Sequence, residues 1–172
     1  MTTNRIGRVG IAALVAAGTF AVAAPADAGS TVSRCTTGVL ALSHTRQDIG
    51  AGNGVEFIVF TNKGAKTCEL TGFPGVAYVA KSGAQLGAAA DREGASHGQI
   101  LIAPGHKARA RFEFINNVGA VPGCYHHRQQ AQAVGLRVYP PGSASAMFVR
   151  DPHPACRSMS VHLLHIRSVR AS

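Results

Sequence analysis

The run His106-Lys107-Ala108-Arg109-Ala110-Arg111-Phe112-Glu113-Phe114-Ile115 alternates apolar and charged side chains without a break. In an extended chain successive side chains point to opposite faces. Ala108, Ala110, Phe112 and Phe114 therefore share one face, and Lys107, Arg109, Arg111 and Glu113 share the other. This is the pattern of a strand with one buried and one solvated side.

Outward from this run, the same two-residue period recurs. Val55–Thr61 is apolar on both faces (Val55, Phe57 and Val59 against Ile58 and Phe60) and reads as a central, covered strand. Six further short segments qualify: Gly38–Ser43, Gly75–Ala80, Gln99–Ala103, Ala133–Tyr139, Ala144–Arg150 and Met159–Ile166. Pro104-Gly105, Pro122-Gly123 and Pro140-Pro141-Gly142 mark turns between them. No segment carries a sustained 3.6-residue apolar stripe; Ala-rich Gly83–Ala95 offers at most a short helical turn, weakened by Gly87 and Gly94. About eight short strands with turn punctuation predict an all-β chain, an immunoglobulin-like Greek-key β-sandwich, with a small β-barrel as the alternative.

The chain has 172 residues, 46% of them apolar and 15% charged, which excludes intrinsic disorder and leaves room for one domain plus a short segment. That segment is at the N-terminus. Arg5 and Arg8 precede an apolar run from Val9 to Ala24, and Ala26-Asp27-Ala28 supplies small residues at a cleavage site. Residues 1–28 therefore read as a secretory signal peptide cleaved after Ala28, and 29–172 as a single exported domain with no membrane span. Without Arg5, Arg8 and Asp27, 15 basic and 7 acidic side chains remain, a net charge of +8. That balance favours anionic partners; nucleic acid is a poor candidate among them, because the compartment is wrong and the aromatic residues mostly take core-type positions rather than exposed stacking platforms.

Cys35, Cys68, Cys124 and Cys156 are an even set in an exported chain, the mark of a disulfide framework. Of the three possible pairings, Cys35–Cys68 and Cys124–Cys156 close loops of similar length, 33 and 32 residues. A zinc site from Cys124, His126, His127 and Cys156 has the wrong spacing and needs free thiolates. No metal and no cofactor are expected.

The punctuation is specific enough to suggest a family. Phe60-Thr61-Asn62-Lys63-Gly64 followed by Thr67-Cys68-Glu69-Leu70-Thr71-Gly72-Phe73-Pro74-Gly75-Val76 resembles the signature of the DUF4232 family, exported actinobacterial domains of unknown function. Leu101-Ile102-Ala103-Pro104-Gly105-His106-Lys107-Ala108 resembles that family's turn into a long strand, and Asn116, Cys124, Leu136-Arg137-Val138-Tyr139-Pro140 and Cys156 fit its remaining landmarks. The resemblance covers residues 34–168 and implies a β-rich secreted domain. It carries no catalytic residues. Many relatives are lipid-anchored, whereas this chain lacks the Cys that anchoring requires. The Cys68–Val76 block has its own physical reading as a structural corner, with Leu70 and Phe73 bracketing a reversal made by Gly72 and Pro74-Gly75.

No GxSxG, no HExxH and no close carboxylate pair other than Asp91 and Glu93 is present, so the chain is not expected to be an enzyme. His162 and His165 are three apart, which on a strand sends them to opposite faces. The candidate binding feature is the stripe Lys107, Arg109 and Arg111, joined by Arg137 and Arg150 if their strands lie alongside. Such a face suits an anionic cell-envelope polymer or an acidic patch on another exported protein. The competing reading has these cations shielding an edge strand from sheet-to-sheet aggregation. The expected function is a secreted, non-enzymatic binding or interaction module. An envelope hydrolase and a purely structural or antigenic surface protein are the alternatives.

Overall fold

The computed structural model describes Met1, Thr2, residues 32–50 and residues 52–172, and for 46–49 the backbone alone. The chain divides into two units, Met1–Ser30 and Thr31–Ser172, and the fold is that of the second. The expected signal segment and its cleavage site lie outside the described residues.

Among the described residues fourteen strands follow in order: β1 Leu40–Gly50, β2 Asn53–Asn62, β3 Cys68–Leu70, β4 Gly75–Val79, β5 Gln85–Leu86, β6 Asp91–Glu93, β7 Ile100–Ile102, β8 Lys107–Ile115, β9 Gln130–Gln132, β10 Gly135–Tyr139, β11 Met147–Arg150, β12 Pro154–Cys156, β13 Leu164–Arg167 and β14 Arg170–Ala171. Each of the eight segments expected from the sequence overlaps one of them, though β1 runs on to Gly50, β2 exceeds Val55–Thr61 at both ends and β13 begins only at Leu164. The others are pieces of two or three residues, too short to show a period. Gly83–Ala95 forms no helix and holds β5 and β6 instead, because its glycines at 83, 87 and 94 adopt positive φ.

The main sheet runs β1-β2-β8-β13-β6, with β14 also paired to β8; the second runs β11-β10-β4-β5. β1, β2, β8 and the returning strands pair antiparallel, whereas β13 and β6 pair in parallel. The sheets are open, so the barrel alternative falls away. The core lies between them: Ile58, Phe60, Ala108, Ala110, Phe112, Phe114, Leu164 and Ile166 from one sheet meet Val76, Tyr78, Leu136 and Val138 from the other. Those are the inner-parity residues of their strands, so the alternation along each strand is what closes the core.

Two bridges clamp the ends, Cys35–Cys68 and Cys124–Cys156, as the loop lengths suggested. The first ties the segment around Cys35 to β3: Cys35 N donates to Glu69 O and Glu69 N to Ser33 O. β3 pairs with β7. Behind it, Gly72 takes φ +95°, a conformation that L side chains resist, and its carbonyl accepts from Val169 N. The corner reading of this block holds. No helix among the described residues is long and apolar enough to cross a membrane.

Candidate functional site

β8 is an interior strand. β2 pairs with it from Asn53↔Ile115 to Thr61↔Lys107, while β13 and β14 cover its other side. Its cations therefore shield no sheet edge, and the edge-protection reading fails on strand order.

Lys107 and Arg109 stand exposed on the outer face and Arg111 is half-buried there. Arg137 and Arg150 do not join them: β10 and β11 belong to the second sheet. Arg137 is engaged locally, its Nη2 donating to Gly83 O. The five expected cations do not converge, because periodicity assigns a side chain to a face and leaves the order of strands open.

Two other arginines take their place. β13 and β14 bring Arg167 and Arg170 beside β8, and Phe57, Arg109, Arg111, Arg167, Ser168 and Arg170 line a groove of about 230 Å³. Lys107 lies outside that lining. The guanidinium of Arg109 sits 4.6 Å above the Phe57 ring, a cation–π contact that props it over the groove. Arg111 Nη1 lies 2.6 Å and Arg167 Nε 3.5 Å from the same oxygen of Glu113, so one carboxylate serves two guanidiniums. Arg109 and Arg170 have no carboxylate partner among the described residues; Arg170 Nε donates instead to His97 Nε2 at 2.8 Å. Arg170 is also the direct cross-strand partner of Arg109. Guanidinium forks match the geometry of phosphate and carboxylate oxygens, and four around one groove form an anion receptor in outline.

Further along the same sheet, Glu93, Glu113 and His165 line a shallow depression with Asn53 and Val55. His165 Nδ1 lies 2.9 Å from Glu93 Oε1, and His162 Nδ1 lies 2.9 Å from Asp91 Oδ2. The two histidines thus take separate carboxylates, both on strand β6. Among the described residues no serine hydroxyl is hydrogen-bonded to an imidazole.

A second constellation was not singled out from the sequence. Glu56 of β2 and Asp151, just past β11, are fully buried, as is the His153 ring but for a few percent. Glu56 Oε2 lies 3.0 Å and Asp151 Oδ1 3.9 Å from His44 Nδ1. The opposite oxygens, Glu56 Oε1 and Asp151 Oδ2, lie 3.5 and 2.9 Å from His153 Nε2. The His153 ring packs 4.2 Å from Phe114 and 5.8 Å from Tyr78, with Nδ1 at 3.4 Å from Asn116 Oδ1. Burial alone would drive the His153 proton off, yet the oxygens and charges of Asp151 and Glu56 outweigh it and push the pKa up to about 9. Burial likewise opposes ionisation of Asp151, and the hydrogen bond and charge of His153, helped by His44, hold it below the usual carboxylate range. Tyr78 is pushed well up by burial and by the Asp151 and Glu56 charges.

The parity of β2 was the available signal: Glu56 shares its face with Ile58 and Phe60, both wholly buried. A carboxylate at a core position needs a partner.

No curated protein and no solved structure matches the chain. Residues 35–170, spanning both bridges, every sheet and both constellations, match the family described as Domain of unknown function (DUF4232), and the chain belongs to that family.

Proposed function

We propose that this chain is an exported, non-enzymatic binding module that takes an anionic ligand in the groove between β8 and the β13–β14 segment. The observation that carries the reading is the groove lining itself: four arginines, an aromatic ring and a serine, with no carboxylate among them. The two disulfides support a place outside the cell, since such bonds persist in oxidising compartments. The net charge of +9 supports attraction to polyanions. The partner class that fits is an anionic cell-envelope polymer presenting phosphate or carboxylate groups; an acidic patch on another exported protein presents the same oxygens.

Charge alone and the groove are separable by experiment. Arg109→Ala/Arg170→Ala and Arg137→Ala/Arg150→Ala remove the same number of charges from different sheets. On a phosphate-bearing polyanion matrix the first pair elutes at lower salt than the second. Equal elution of both variants removes the groove from consideration and leaves only net charge.

A further inference from the structure

The buried cluster has a division of labour that an ion-pair network does not require. Glu56 and Asp151 each turn one oxygen toward His44 and the other toward His153. On the His44 side, ligand-type atoms of His44, Glu56 and Asp151 all lie within 4.8 Å of one another. Ligands held about 2.0–2.2 Å from a tetrahedral ion are separated from each other by roughly 3.3–3.6 Å. The 3.0 and 3.9 Å separations from His44 Nδ1 bracket that edge length. On the other side, His153 occupies the place of an outer partner: it contacts the oxygens that would face away from an ion and orients both carboxylates.

A second observation belongs to the same cluster. The Tyr78 hydroxyl has no hydrogen-bond partner among the described residues, and its residue is 1% exposed. It lies in reach of the Asp151 and Glu56 charges, with its ring tilted against His153. Leaving a buried hydroxyl unpaired forfeits its hydration without return. A water held on an ion at this cluster gives that hydroxyl its partner. The route in is through His44, whose side chain is 23% exposed while the carboxylates are sealed.

We propose that His44 Nδ1, Glu56 and Asp151 bind a divalent transition-metal ion of the zinc class, with His153 positioning the carboxylates from behind. One imidazole and two carboxylates are a donor set that zinc accepts, with a position left for water. The site is distinct from the arginine groove and stands or falls independently of it.

The test is a calorimetric titration of zinc ion into the oxidised chain, alongside His44→Ala and His126→Ala/His127→Ala. His44 reaches the surface with about a quarter of its side chain, so its replacement leaves the core packed, and His126 and His127 are surface imidazoles that could take zinc adventitiously. The expected result is saturable one-to-one binding that His44→Ala weakens by at least about tenfold and the double variant leaves unchanged. No binding to the unmodified chain, or binding lost in the double variant and kept in His44→Ala, overturns the proposal. If circular dichroism shows His44→Ala unfolded, imidazole nitrogen resonances of the unmodified chain decide: His44 Nδ1 moves on adding zinc, and a static His44 signal refutes the site.

Discussion

Arg170 of β14 and Arg109 of β8 face each other as direct cross-strand partners. Like charges in that arrangement repel, and opposite charges attract, by roughly 0.2–1 kcal/mol. Neither guanidinium has a carboxylate neighbour among the described residues to relieve the repulsion. Arg170→Glu is therefore expected to raise the stability of the ligand-free chain by a few tenths of a kcal/mol to about 1 kcal/mol, read from denaturant midpoints. The same variant should lose retention on a polyanion. A variant that is both more stable and poorer at binding shows that the pair is held for an anion; a loss of both refers it to folding.

The buried cluster sets a pH window for the zinc-free protein. His153 rises from 6.5 to about 9 on folding. Its contribution is thus whole below pH 6.5 and is lost as pH climbs through 9. Asp151 is lowered from 3.8, so its contribution is whole above that value and is lost as pH falls through the lower folded value. Facing these two groups are His44, Glu56 and Tyr78, and Arg46 is the cross-strand partner of Glu56 on β1. The stability gap between the unmodified chain and His153→Gln should be widest between about pH 4 and 6.5 and narrow towards pH 9. Denaturant unfolding at pH 6 and pH 9 measures it, and a gap independent of pH contradicts the assignment.

Burial should separate two chemically similar pairs. Asp151 at 0% exposure neighbours His153, whereas Asp91 neighbours His162 with both side chains about half exposed. Removing one member of a buried ion pair costs about 3–5 kcal/mol. An exposed pair is worth about 1 kcal/mol or less. Asp151→Asn is expected to fall in the first range and Asp91→Asn in the second, both read by denaturant unfolding at pH 6.

Each disulfide closes a loop of more than thirty residues, with separations of 33 and 32. A loop of that length restricts the unfolded chain by about 3–4 kcal/mol on the entropy model. Cys35→Ala/Cys68→Ala and Cys124→Ala/Cys156→Ala should each lower stability by that order. Peptide mapping without reductant should recover only the two bridges described.

How far the sequence spoke depended on whether a residue sat in a long alternating run. Ala108, Ala110, Phe112 and Phe114 are buried as their parity demanded; Val55–Thr61 has the central place it suggested, but its outer face is only half covered, with Val55 and Phe57 lining surface depressions. Strand order was hidden, because backbone pairing leaves no periodic trace. Arg137 and Arg150 were for that reason joined to the wrong sheet, and Arg167 and Arg170 went unnoticed on strands of four and two residues. Of the buried cluster, Glu56 and His44 lay on β2 and β1, where the inner-face parity of Ile58, Phe60 and Leu40 could have revealed them. Asp151 and His153 belong to irregular backbone between β11 and β12, where no period exists to read.

β14 consists of Arg170 and Ala171 alone, yet it is the flank that completes the arginine groove, with Ser172 N donating to Lys107 O beside it. The sandwich core contains nothing from these last residues. A cut just before Arg170 would leave a folded, bridged domain whose groove has lost one of its four arginines. Clipping and unfolding are thus uncoupled here, and an intact immunoreactive band need not mean a competent molecule.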